Sequence, residues 1–217
     1  MPKPKIYIFG VGNNTPVYID LVENCGYIVA GLYHYNNSMT GDINHGIKIL
    51  GSFEDFFSRK DVSSLNIALS QGDNAIRRQC FIRASKAGVN IPTLVHPTAR
   101  VSRFVELGRG DVIDQNVSVL ADVKIGDNSV ISSDSTVMHT TNIGNHCFAA
   151  PCSKIGAYCT IEDEVFVGIG SIIISAKVPL IGHNAYIGAG ALVTKSVPPN
   201  AIIAGCPAKI INYTNKK

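Results

Sequence analysis

His139 is the side chain in this sequence whose type and neighbours best suit it to move a proton. Imidazole titrates near neutrality, so it can take up and return a proton at ordinary pH. His139 is the third residue of a six-residue block that opens at Val137. In a structure that stacks residues eighteen apart, its column neighbours are Ala121 and Ala157, with Ser175 one step further. Flanking alanines leave a shallow groove beside the ring, which suits an extended ligand. An idle surface histidine would satisfy the same pattern. His146, His183 and His96 fit a base less well, because they fall at position four, after an insertion and at a domain junction.

A second set of residues lies near the start of the chain. Gly10, Gly12, Asn13 and Asn14 follow an apolar run and precede a helical pattern. Small residues there let the backbone approach a phosphate, and a helix N-terminus favours an anion. A full dinucleotide fingerprint wants glycine where Thr15 stands and an acid near the end of the second strand, where His34 and Tyr35 stand. The turn therefore points away from NAD, and a tight strand–helix turn without a ligand fits it equally. Lys154, Lys177, Lys195 and Lys209 are the cations available to meet phosphates, or they keep the surface soluble.

The elements that must position these residues follow from one period. From Val95 the chain reads in blocks of six, each opened by an aliphatic residue or alanine, through thirteen blocks to Val167. The block at Ile173 is two residues too long, and the phase resumes at Ile181, Ile187 and Val193. Position five is mostly small, as at Ser129, Ser135, Thr141, Cys147, Ser153 and Cys159. A period of six is neither helical nor simple alternation. It is the hexapeptide repeat of a three-sided parallel β-helix, with position one filling the interior and coils of about eighteen residues that must stack to bury it. Before Val95, strands are expected over 5–9, 27–33, 46–50 and 65–70. Helices are expected over 16–25, from a Ser52 cap through Phe57, and from an Asp73 cap to Ala87. This alternation predicts an α/β, Rossmann-like domain over 1–92, followed by the β-helix domain with its tail over 93–217.

Composition bounds the rest. A 217-residue chain with 46% hydrophobic residues can bury a core, and a net charge of +3 without a basic run gives no case for nucleic acid. The segment after Lys5 is too short for a secretory signal, and the apolar run from Val165 to Ala176 is too short to span a bilayer. The six cysteines show no metal-type spacing, so reduced thiols, a cytoplasmic location and no metal are expected.

Six segments together resemble one family: Ile6–Gly12, Leu50–Glu54, Pro92–Pro97, the block holding His139, Phe166–Ile169, and the tail Val197–Ala201 with Gly205–Lys209. The chain resembles, over essentially its whole length, the bacterial hexapeptide-repeat sugar acyltransferases. These include N-acetyltransferases of nucleotide-linked 4-amino-4,6-dideoxy sugars and a sialic-acid O-acetyltransferase branch. The resemblance implies a left-handed β-helix, a homotrimer, and acetyl-CoA lying between two prisms. It also implies a nucleotide sugar held by the N-terminal domain, through the turn at Gly10, Gly12, Asn13 and Asn14 and through His34 and Tyr35. His139 would be the base, and Ala157, Gly168, Ile169, Gly188 and Gly190 would line the cofactor groove, with Lys195 as a phosphate partner. Four positions depart from the family pattern. Thr140 replaces an acid that orients the histidine, Phe148 replaces a second histidine, and His34 with Tyr35 replace paired acids.

The reaction expected is acetyl transfer from acetyl-CoA to a sugar amine. His139, backed by Thr140, would accept the proton, and backbone N–H groups near Ala157 would hold the oxyanion. No covalent intermediate is needed, and Cys159 should point inward. The alternatives are O-acetylation of a sugar hydroxyl on the same fold, or a non-catalytic protein that binds a nucleotide sugar.

Overall fold

The computed structural model describes residues 2–214. The chain divides into two compact units after Leu94, two residues beyond the expected boundary.

The first unit is a five-stranded sheet. Its strands are β1 (Lys5–Phe9), β2 (Ile28–His34), β3 (Ile43–Asn44), β4 (Ile47–Ser52) and β5 (Ile67–Leu69), in the order β3-β4-β2-β1-β5. β1, β2, β4 and β5 run parallel, as continuous apolar runs predict. The helices α1 (Thr15–Asn24), α2 (Phe53–Phe57) and α3 (Asn74–Lys86) lie within a residue or so of expectation. Ser52 caps α2 through a reciprocal pair with Asp55, and Asp73 caps α3 by accepting from the Ile76 N–H at 2.9 Å. β3 was not expected. It pairs antiparallel with β4 through a two-residue turn in which His45 and Gly46 both have positive φ, a tight hairpin turn. Ile6, Ile8, Phe9, Leu32, Ile49, Phe56 and Ile67 are fully buried.

The second unit is three parallel sheets of two-residue strands. Face one runs from Arg100–Val101 to Leu192–Val193, face two from Glu106–Leu107 to Leu180–Ile181, and face three carries Val112–Ile113 up to Tyr186–Ile187. Strands pair eighteen residues apart, as in Val137↔Ile155. Above the long block they pair twenty apart, as in Ile161↔Ile181, so the two extra residues are absorbed in the turn before Leu180. Position-one residues from Ile113 to Val193 form one buried cluster. Val101 and Leu107 are only partly buried, because the first coil of the stack has a neighbour on one side only. On face three, Ala201–Gly205 continues the parallel stack on Tyr186–Ile187 and then pairs antiparallel with Ala208–Tyr213.

Position five is buried, and in several coils it is polar. Ser129 Oγ donates to the Gly144 carbonyl at 2.8 Å and accepts from the Cys147 N–H at 3.0 Å. Ser135 and Thr141 make the same kind of bond to Ala150 and Gly156. These short side chains satisfy the backbone groups that a tight corner would otherwise orphan. Position four is left-handed above the first blocks, with φ near +60° at Asn116, Asp122, Asn128, Asp134, Thr140, His146, Cys152 and Tyr158.

Two stability tests follow. A Cβ on Gly168 would sit 2.6 Å from the Ile187 carbonyl oxygen and 2.7 Å from the Ala189 nitrogen. A Cβ on Gly190 would meet nothing within 4 Å and would strain only its φ of +64°. Chemical denaturation should show Gly168→Ala losing about 3 kcal/mol or more, and Gly190→Ala about 1–2 kcal/mol. The second test concerns Asp111, which is fully buried at position five and accepts from the N–H groups of Gly108 and Ser129. Burial pushes its carboxyl up to about 8. A carboxyl raised in the folded state binds its proton more tightly there. Its contribution is therefore complete below the ordinary carboxyl range and is lost as pH rises towards 8. Between pH 5 and 8, the wild-type Tm should fall relative to that of Asp111→Asn; parallel Tm profiles would refute this.

Candidate active site

In the first unit the expected ligand residues surround one cavity of about 500 Å³. It is lined by Gly10, Val11, Gly12, Asn13, Asn14, His34, Tyr35, Phe53, Ser70, Gln71, Gly72 and Ile76. All six residues expected from the sequence to bind substrate are among them. Thr15, where a dinucleotide turn would have glycine, is buried and ties the turn down: its Oγ1 accepts from the Gly12 N–H at 2.8 Å. A Cβ on Gly10 would collide with Ser70 Oγ at 2.6 Å, and its φ is +109°, so packing and backbone explain glycine here without a ligand. Burial lowers the pKa of His34 below its ordinary value, which favours the neutral ring. Ser70 and Gln71 were not foreseen. Both donate to the Phe9 carbonyl, at 2.9 Å each, and so close the cavity against the end of β1.

In the second unit His139 lies on the edge that follows face one. Its ring has two restraints. Nδ1 is 3.1 Å from Thr140 Oγ1, and the ring meets Tyr158 edge-on at 5.2 Å, with the planes at 89°. Thr140, which stands where the family pattern has an acid, thus turns its hydroxyl to the ring nitrogen. The main chain turns there with φ at +57°, an outlier for a β-branched residue. Tyr158 was missed because position four carries no sequence period of its own. Its side chain faces the ring from the next coil and is otherwise exposed. The rival histidines are engaged elsewhere: His146 Nδ1 pairs with Asn128 at 2.8 Å and His96 Nδ1 with Thr98 at 2.8 Å. His183 lines a separate hollow with Glu162 and Asp163.

Ala157 stacks directly on the His139 column, but the role expected of its backbone needs correction. The Ala157 N–H donates to Ser175 Oγ at 3.0 Å, so an oxyanion there would have to displace that hydroxyl. Ser175 also lines a hollow of about 420 Å³ on face one with Met138, Gly156, Ile172 and Ile174. Lys195 continues the same column, paired through Ile173↔Val193, about 14 Å along the axis from His139 at the strand spacing. Gly168, Ile169, Gly188 and Gly190 do not join them. They lie on the edge after face three, and a single chain leaves the two groups on different edges of the prism. Phe148, where a second histidine was expected, instead begins a stack of rings on face three with Phe166 and Tyr186, at 5.5 and 4.6 Å. Burial pushes the Cys159 thiol up to about 12, which rules it out as an acyl carrier. Among the described residues no group of three or more His, Cys, Asp or Glu could hold a metal ion, and no helix is long and apolar enough to cross a membrane.

No protein-family model matches the chain. It is 30% identical over 145 residues to a galactoside O-acetyltransferase of Escherichia coli, an alignment that covers 65% of this chain and 70% of that one. The chain belongs to the hexapeptide-repeat sugar acyltransferases. Its likeness to GDP-perosamine N-acetyltransferase of Escherichia coli runs nearly end to end, at 28% identity over 210 residues, 93% of this chain and 94% of the other. Among solved structures, PerB of Caulobacter crescentus, in complex with CoA and GDP-perosamine, superposes with a TM-score of 0.87 at 28% identity, covering 96% of this chain and 97% of that one. Serine acetyltransferases also match, but the chain spans only 41% to 48% of their length.

The Thr140 contact is testable. Thr140→Val keeps the shape and removes the hydroxyl. It should lower kcat about fivefold, the worth of one neutral hydrogen bond, and leave Tm unchanged; unchanged kcat would mean that Tyr158 alone orients the ring.

Proposed function

We propose that this protein moves the acetyl group of acetyl-CoA to the 4-amino group of a nucleotide-linked 4-amino-4,6-dideoxy sugar. The observation that carries the proposal is the end-to-end likeness to an N-acetyltransferase of a nucleotide amino sugar, joined to an oriented histidine at the edge of the prism. The first unit, read as a Rossmann-like nucleotide fold, holds the nucleotide end of the acceptor. The left-handed β-helix of the second holds the thioester.

The neutral amine attacks the thioester carbonyl. A C–N bond forms, the carbonyl oxygen takes up the negative charge, and the amine nitrogen becomes cationic. With its proton on Nδ1 facing Thr140, His139 presents the Nε2 lone pair and takes the proton from that nitrogen. The tetrahedral centre then collapses, the C–S bond breaks, and the departing sulfur takes up the proton from His139, so that CoA leaves as thiol and the imidazole is restored. The edge carrying Gly168, Ile169, Gly188 and Gly190 reaches His139 only from a second copy of the chain. A homotrimer with sites between subunits would supply this, and the exposed ring of Tyr186 beside that edge suits such a contact.

A second reading draws on the likeness to a galactoside O-acetyltransferase. There the acceptor is a hydroxyl and the proton must leave as attack proceeds, so dependence on His139 would be greater.

The deciding assay follows free thiol from acetyl-CoA with UDP-, dTDP- and GDP-linked 4-amino-4,6-dideoxy sugars and their hydroxy counterparts. Release with one amino sugar is expected. His139→Ala should lower that rate by about 10²–10⁴-fold while CoA binding persists. Release only with a hydroxy sugar would select the second reading.

A further inference from the structure

The edge that carries His139 holds a single acid. Of the turn residues stacked along it, Asp122 is the one carboxylate; besides the histidine, the other ionisable groups are Arg103 and Tyr158, with Lys177 and Lys195 higher up. The register places Asp122. Val119 pairs with Val137, so Asp122 stands one coil from Thr140, about 4.8 Å along the axis. The two turns touch, because the Thr140 N–H donates to the Ala121 carbonyl at 3.1 Å. His139 therefore has the Thr140 hydroxyl beside it, the Tyr158 ring on the coil above and Asp122 on the coil below.

The backbone explains why aspartate or asparagine stands at 122, but not why the residue is charged. Its φ is +59°, which both side chains tolerate. Asn116, Asn128 and Asp134 share that turn and are bonded from coil to coil: Asn116 Nδ2 donates to Asp134 Oδ1 at 3.2 Å, and Asn128 meets His146 at 2.8 Å. The Asp122 carboxylate is exposed and makes no hydrogen bond or ion pair with any described residue. Arg103, the cation one coil below, lies over the Phe104 ring at 4.7 Å instead. The charge on Asp122 thus supports nothing in the fold, yet it stands next to the proposed base.

We infer that Asp122 selects an amine over a hydroxyl as the acetyl acceptor. This rests on reading the His139 edge as the acetyl-transfer site. Near pH 7 a sugar amine reaches the protein largely as its ammonium. A carboxylate accepts a charge-assisted bond from it, roughly twice as strong as a neutral one. The ammonium gives one proton to solvent before it attacks, and the neutral amine still donates an N–H to the same oxygen. Once the C–N bond has formed the nitrogen is cationic again, and the carboxylate stabilises that charge. A hydroxyl brings no positive charge on binding. Its oxygen gathers negative charge as its proton leaves, which a neighbouring carboxylate opposes. One side chain therefore acts with opposite sign on the two acceptors.

Asp122→Asn keeps the size of the side chain and the left-handed turn, and removes the charge. Titration calorimetry of the whole protein at pH 7, without acetyl-CoA, compares UDP-, dTDP- and GDP-linked 4-amino-4,6-dideoxy sugars with their 4-hydroxy counterparts. With the nucleotide that binds, the wild type should favour the amino sugar at least about tenfold, the worth of one hydrogen bond to a charged group. Asp122→Asn should bring the two sugars within about threefold, with the hydroxy sugar bound as before. Equal binding of both sugars by the wild type, an undiminished preference in the folded variant, or no binding by any sugar of the panel overturns the inference. Thiol release from acetyl-CoA is the second readout, and kcat/KM for the amino sugar should fall at least about tenfold in Asp122→Asn. The two readings fail separately. A preference lost in the variant without any thiol release keeps Asp122 and removes acetyl transfer; undiminished release from the amino sugar in Asp122→Asn does the reverse.

Discussion

The register of one coil on the next governs the second unit. The two-residue strands pair with one another eighteen residues apart, or twenty above the long block. A single coil cannot cover its own inward aliphatic residue, so the interior exists only as a column. The same register sets the outward columns. His139, Ala157, Ser175 and Lys195 share an edge because Val137, Ile155, Ile173 and Val193 share a face. The chemistry inherits its alignment from the core, and shifting one inward residue would carry the edge with it.

The corners bring constraints that the core does not. Position four must turn left-handed, which asparagine, aspartate and glycine tolerate and a β-branched residue resists. Most of these positions follow that preference, as at Asn116, Asp122, Asn128 and Asp134. Thr140 does not, and it is the residue whose hydroxyl meets His139. The strain buys a short side chain aimed back at the ring. Strain of this kind persists where the surroundings over-determine the backbone, and here the coils on either side do so.

The period of six made the second unit legible, because it is local and repeats without a break. The mismatch at Ile173 could be read for the same reason. In the first unit the parallel strands and helix caps were legible from apolar runs and from Ser52 and Asp73. β3 was not, because its two residues carry no pattern and its turn depends on His45 entering positive φ. Asp111 broke the small-residue rule at position five and gave no other sign. Gln71 was invisible as one polar residue in a loop; its meaning comes from the Phe9 carbonyl that fixes one end of its amide and leaves the other unpaired. The engagement of the Ala157 N–H could not be read either, since it depends on a serine eighteen residues away.

Threonine in place of an acid changes what His139 can do. A carboxylate only accepts, so it holds the proton on Nδ1 and leaves Nε2 as the base. A hydroxyl both donates and accepts, so it is compatible with either tautomer. The base form proposed for His139 is then one of two ring states rather than the enforced one, and Thr140 brings no negative charge to an imidazolium as it forms. An alcohol gives up its proton reluctantly and depends on that help at the moment of attack. An amine does not, because bond formation makes its nitrogen strongly acidic, and a modest base nearby then suffices. With His139 as the proposed base, the Thr140–His139 pair therefore fits an amine acceptor better than a hydroxyl.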